Sequence, residues 1–258
     1  MKPAGRDLRS FPGLRRLIAT LRGPDGCPWD RVQTHQSLRH YLLEESSETL
    51  AALDEGDAAR LCEELGDLLL QVLLHVQIAE EYGEFQMRDV IYSIAAKLVR
   101  RHPHVFSDAV AETPDAVVQQ WDELKRQERG GESALTGIPA TLPALAYAQA
   151  IQRRAGNAGF AFQSSSEVWE ALMEELDELR RAETPETQRE EIGDLLFAVT
   201  NVARFLDADA EEALRSTIRG FTRRFQRMEG IVKERGLDLR RAEMAQKLAL
   251  WEEAKGGK

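Results

Sequence analysis

The stretch LLEESSETLAALDEGDAARLCEELGD, Leu42–Asp67, decides the fold. It sets Glu-Glu-x-x-Glu (Glu44–Glu48) about twenty residues ahead of Glu-Glu-x-Gly-Asp (Glu63–Asp67). LMEELDELRRAETPETQREEIGD, Leu172–Asp194, repeats the grammar with Glu174–Glu178 and Glu190–Asp194. Glu45 and Glu48 are three apart, as are Glu64 and Asp67. At 3.6 residues per turn such a pair shares one helix face. Two facing helices would then crowd four carboxylates, which calls for a cation between them. Magnesium takes oxygen ligands, keeps several waters and bridges carboxylates to phosphates. A lone Glu-x-x-Glu reads as a solvated acidic face. Here the pattern recurs, beside the apolar runs Leu68–Leu70 and Leu195–Phe197, where idle charge is costly.

Working outward, the apolar positions around these clusters follow a helical period. Helices are expected over 11–22, 37–55, 58–81, 86–101, 114–129, 144–154, 166–182, 185–205, 208–235 and 240–255, with a loop at 157–162. Residues 1–10 read as frayed. No alternating pattern of a strand occurs, so the fold class is all-α. Helix 58–81 is apolar nearly all round, which predicts cover from a second subunit or the other repeat.

Self-similarity sets the domain organisation. Glu44 to Glu174 and Trp121 to Trp251 are both 130 residues, Asp67 to Asp194 is 127, and Arg101 to Arg224 is 123. WDELK (121–125) and WEEAK (251–255) close the two copies with Trp and Lys on one helix face. The GGESALTGIPATLP stretch reads as a linker. The chain is therefore expected to be a tandem of two helical domains, 1–130 and 144–258, joined by 131–143. Lys97 and Arg101, four apart, can reach one phosphate together; Arg223 and Arg224 stand in the matching place of copy two.

Composition narrows the functional classes. The 258 residues are 43% hydrophobic and 30% charged, enough for sizeable cores. A net charge of −10 argues against nucleic-acid binding through phosphate neutralisation. Cys27 and Cys62 make neither a disulfide framework nor a zinc pattern. No apolar run reaches the roughly 20 residues of a membrane span. MKPAGRDLRSFPG has no signal-peptide character, so a cytoplasmic location is the expectation.

With these residues in view the chain resembles MazG-type nucleoside triphosphate pyrophosphohydrolases, over nearly its full length. The resemblance is carried by CPWD (27–30), LLEESSE (42–48), EELGDLL (63–69), KLVRRHPHVF (97–106), EELDE (174–178), EIGDLLF (191–197), FTRRF (221–225) and WEEAK (251–255). It implies a dimer of helical domains that hydrolyses nucleoside triphosphates to monophosphate and pyrophosphate with magnesium, a nucleotide-pool housecleaning role. It implies metal ligands at Glu45, Glu48, Glu64 and Asp67, and at Glu175, Glu178, Glu191 and Asp194. Substrate contacts are implied at Lys97, Arg101, Trp121, Lys125, Asn201, Arg223, Arg224, Trp251 and Lys255. A carboxylate not consumed in coordination, Glu44 or Glu63 and Glu174 or Glu190, can orient the attacking water. Two departures stand out: Gly220 where the family's second copy usually has Lys, and Gly159-Phe160-Ala161-Phe162 where it has Gly-Phe-Asp-Trp. Copy one is therefore expected to be at least as active as copy two. The competing classes are a non-catalytic helical protein that binds nucleotides or a partner, and a purely structural acidic bundle.

Overall fold

A computed structural model describes residues 8–128 and 131–256, without the side chains at 115, 119, 122, 126 and 127. The expected fraying of 1–7, the helix end at 129 and the end of the first domain at 130 lie outside the described residues. Among those described there is no strand. The helices are α1 (Phe11–Arg22), α2 (Pro28–Arg31), α3 (Arg39–Glu55), α4 (Ala58–Tyr82), α5 (Met87–Arg101), α6 (Pro103–Phe106), α7 (Pro114–Glu128), α8 (Ala144–Asn157), α9 (Ser165–Arg181), α10 (Pro185–Phe205), α11 (Ala210–Glu234) and α12 (Met244–Glu253). None of them is long and apolar enough to cross a membrane. The chain divides into two compact units, Met1–Trp121 and Asp122–Lys258, with the division inside α7.

Unit 1 is organised by the α3–α4 hairpin. Gly56 ends α3 at φ +68°, a left-handed conformation that a Cβ disfavours. Asp57 then starts α4: its Oδ1 accepts from the backbone N–H of Ala59 and Arg60 at 2.9 and 3.1 Å. One residue each for stop and start turns the chain back on itself, and the two helices pack along each other. Ile18, Leu38, Leu73, Leu74, Val76, Ile78 and Met87 form the core beneath the C-terminal half of α4. Arg22, at the end of α1, ties the segment after α2 to that half: it pairs with Glu81 at 2.7 Å and donates to the carbonyl of Gln33.

Unit 2 has a second such hairpin, α9–α10, with a turn of another kind. Pro185 fills the first position of α10, and Thr184 and Thr187 cap it reciprocally. α8 lies against α10 through a buried polar knot. Thr200, fully buried, donates to Phe197 O at 2.7 Å, and Gln152 Nε2 donates to the same carbonyl. α11 and α12 pack on a separate core of Met228, Val232, Leu250 and Ala254.

The differences from the sequence reading lie at helix ends. Helix 37–55 begins at Arg39, because Thr34 and Ser37 exchange side-chain to backbone bonds ahead of it. α11 begins at Ala210, where Asp209 Oδ1 accepts from Glu212 N at 2.8 Å. The last helix begins at Met244; Arg241 and Ala242 instead turn back to Asp238 O. α8 runs on to Asn157, into the expected loop. α2 and α6 were not anticipated; one turn is too short for any periodicity to show.

Candidate metal centres and their surroundings

Each hairpin brings three carboxylates together. Glu45 and Glu48 from α3 meet Glu64 from α4 with one oxygen of each within 4.8 Å of the others. Glu175 and Glu178 from α9 meet Glu191 from α10 in the same way. The geometry follows from the helical repeat: the i, i+3 pair presents two carboxylates on one face, and the facing helix supplies the third. Asp67 and Asp194 lie outside both trios, although each acts on its neighbour's titration. Loss of hydration, and then the charges of Asp67 and Glu48, hold the Glu45 carboxyl above the usual carboxylate range. Glu175 is raised by loss of hydration and then by Asp194 and Glu178. Glu191 is raised by loss of hydration, then by Glu178 and Asp194. Like charge held this close wants a cation. Glu191 Oε2 is moreover buried with no hydrogen-bond partner. Hard oxygen donors in a group of three, with the unsatisfied Glu191 oxygen in the second group, fit a hard divalent cation. Both clusters can hold a metal.

The four candidate water-orienting carboxylates, Glu44, Glu63, Glu174 and Glu190, are all exposed at the edges of these trios. Glu44 and Glu174 act on the titration of Glu45 and Glu175, and Glu190 on that of Glu191.

The candidate substrate residues lie on α5, α7, α10, α11 and α12 or, for Lys255, just beyond α12. Lys97 is exposed on α5, and Arg101 is half-buried at that helix's end. Trp121 is half-buried, with its ring edge-on to His102 at 5.0 Å and its indole N–H unbonded. Lys125 is half-buried beyond the division of the chain. Asn201 Oδ1 accepts from Arg204 Nε and Nη2 at 3.1 and 2.9 Å. Arg223 is exposed. Arg224 is engaged with Trp251: its guanidinium sits 3.9 Å over the ring, and Nε and Nη2 donate to the Trp251 carbonyl at 2.8 and 2.6 Å. Lys255 pairs with Glu252 at 2.7 Å. Phe221, Phe225, Met228, Leu239, Leu248 and Trp251 line an open apolar hollow of about 410 Å³ beside this group.

The sequence reading missed Arg60. Its Nη1 donates to Glu55 Oε2 at 2.6 Å and its Nε to Glu64 Oε1 at 3.3 Å. The signal was present as an i, i+4 Arg–Glu spacing on α4. It also missed His35 and His75, whose Nδ1 atoms lie 2.7 Å apart in parallel rings. Forty residues separate them, and no local pattern connects them.

Residues 33–106 match the family model of the MazG nucleotide pyrophosphohydrolase domain. A Thermotoga maritima protein named nucleoside triphosphate pyrophosphohydrolase/pyrophosphatase MazG is 44% identical over 249 residues, covering 96% of each chain. A nucleoside triphosphate pyrophosphohydrolase from Escherichia coli K12 is 41% identical over 251 residues, 94% of this chain and 95% of that one. The Bacillus subtilis protein YabN is 45% identical over 251 residues, and the chain spans 51% of its length.

Proposed function

The chain belongs to the MazG nucleotide pyrophosphohydrolase family, and from that premise we propose how it works. It is a hydrolase that converts nucleoside triphosphates to nucleoside monophosphate and pyrophosphate. The observation that carries the reading is the doubled trio of carboxylates, Glu45/Glu48/Glu64 and Glu175/Glu178/Glu191. Each trio, with Asp67 or Asp194 beside it, would hold magnesium, which would supply neutralisation of triphosphate charge and activation of the attacking water.

The chain's own residues do the rest. Glu44 or Glu63, and Glu174 or Glu190, accept a hydrogen bond from the water and orient it toward the bond between the α and β phosphates. Water adds across that bond, and the nucleoside monophosphate and pyrophosphate part. Lys97 and Arg101 in copy one, and Arg224 in copy two, supply positive charge to the phosphates, where catalysis is chiefly positioning and charge stabilisation. Arg223, Trp251 and Lys255, with Trp121, Lys125 and Asn201, make the remaining substrate contacts.

Each unit corresponds in this reading to one MazG-like domain, 1–130 and 144–258, with 131–143 between them. The protein works as a homodimer in the cytoplasm and clears the nucleotide pool. It has no nucleic-acid or membrane partner. The exposed apolar side chains of the hairpins, Leu43, Leu50, Leu65 and Val72 among them, support the dimer.

A γ-labelled triphosphate tests the chemistry. The label is expected in pyrophosphate, with unlabelled monophosphate as coproduct. Label released first as orthophosphate, with diphosphate left behind, overturns the reading.

A further inference from the structure

The two carboxylate centres differ at one register position. One turn before Glu64, Arg60 stands on α4 and donates from Nε to Glu64 Oε1 at 3.3 Å. One turn before Glu191 stands Thr187, which is drawn into the helix cap: its Oγ1 accepts from Thr184 N at 3.2 Å, and its own N–H donates to Thr184 Oγ1. Among the described residues no basic side chain pairs with Glu175, Glu178, Glu191 or Asp194. Glu191 keeps a buried oxygen without any hydrogen bond, whereas Glu64, the most buried member of its trio, has a guanidinium at its oxygen. Among the described residues, one centre has a basic side chain paired with it and the other has none.

A guanidinium and a divalent ion compete for the same carboxylate lone pairs. Arg60 also has a second anchor outside the trio, Glu55, at 2.6 Å. That anchor gives the guanidinium a place to stay when it leaves Glu64. We propose that Arg60 is a built-in counter-ion of the unit 1 centre: a divalent cation loads the unit 2 trio first, and enters the unit 1 trio only as Arg60 withdraws to Glu55. Arg60 is thus a positioning residue, acting through Glu64. The proposal rests on the reading of both trios as magnesium holders and adds an order of loading to it.

The test is manganese binding to the full chain, read from the electron paramagnetic resonance of free Mn²⁺ without nucleotide. The wild type is expected to show a tight and a weak class of site. Glu178→Gln removes the tight class and Glu48→Gln the weak one. Arg60→Thr, which gives unit 1 the residue that unit 2 has, tightens the weak class roughly three- to tenfold, the scale of a half-exposed charge-assisted pair. Thr187→Arg, the reciprocal change, weakens the tight class. Metal-free Arg60→Thr is expected to keep the wild-type circular dichroism, because the side chain is not part of the core. An Arg60→Thr protein whose weak class stays where it was overturns the proposal, as does loss of the tight class on Glu48→Gln. A wild type that hydrolyses nucleotide yet binds no Mn²⁺ overturns the magnesium reading with it.

Discussion

The guanidinium of Arg224 lies 3.9 Å over the ring of Trp251 while its Nε and Nη2 close on the carbonyl of that same residue. One side chain therefore covers an indole face and satisfies a carbonyl near the C-terminal end of α12. The two groups are 27 residues apart, so the contact fastens α11 to α12. Cation–π contact and charge-assisted bonds of this kind together contribute on the order of 1–3 kcal/mol. Arg224→Ala is expected to lower the melting temperature by several degrees and to shift the tryptophan emission, while Arg223→Ala leaves both in place. Unchanged emission and melting in Arg224→Ala would show that the stack contributes nothing.

Magnesium is expected to raise the melting temperature of the full chain. A ligand that binds only the folded state stabilises it by about 2.7 kcal/mol at a hundred times its dissociation constant. Glu48→Gln and Glu178→Gln should each remove part of that gain, and the double variant nearly all. At saturating magnesium, Glu48→Gln should cost at least as much activity as Glu178→Gln, because Gly220 leaves unit 2 one phosphate-binding charge short of the family pattern. Full magnesium stabilisation in the double variant argues against the trios as metal holders. Activity that survives Glu48→Gln and vanishes with Glu178→Gln reverses the order of the two units.

Much of this was legible locally. A 3.6-residue period and an i, i+3 pair are properties of a single helix, so Glu45 with Glu48 and the hairpin that adds Glu64 could be read from spacing alone. Asp67 and Asp194 fall outside the trios because sharing a helix face does not fix how far a side chain reaches across to the next helix. The choice Arg60 makes between solvent, Glu55 and Glu64 is a rotamer choice, invisible in a sequence. The Arg224–Trp251 stack and the His35–His75 contact join residues distant in the chain, and only the packed fold brings them together.

That histidine contact sets a pH dependence. Burial, and then the neighbouring His35, hold the His75 imidazole below its ordinary value of 6.5. His35 Nε2 in turn lies 3.4 Å from Glu84. A depressed histidine pKa means that the folded state favours the neutral ring more than the unfolded state does. Its contribution to stability is present above the unfolded value and is lost as pH falls through the folded one. Melting temperature is therefore expected to drop as pH falls below about 6.5, the ordinary histidine value. His75→Gln should flatten that slope. An identical slope in the variant would place the titration elsewhere.

The apolar side chains left exposed on the hairpins and on α5 call for cover. Leu65 and Val72 of α4 are exposed, as are Ile91, Ile94 and Leu98 of α5, three positions on one helical stripe. The protein is expected to scatter light as a dimer at micromolar concentration. Ile94→Glu should shift it toward monomer and lower its activity. A stable, active wild-type monomer contradicts the dimeric reading.

The Arg60–Glu64 pair also bears on how each hairpin first comes together. Closing α3 on α4 gathers three carboxylates, but the same stretch of chain brings a positive group with them, one turn from Glu64. Closing α9 on α10 also gathers three, and among the described residues no basic side chain is paired with them, although Arg180, Arg181 and Arg189 lie on the same hairpin. Repulsion between exposed charges weakens as the screening length falls from about 30 Å at 0.01 M salt to about 10 Å at 0.1 M. Closure of the second trio should therefore gain more from added salt than closure of the first, where Arg60 already offsets part of the charge. In a chain that emerges from synthesis N-terminus first, the half whose trio has its own paired cation is also the half made first.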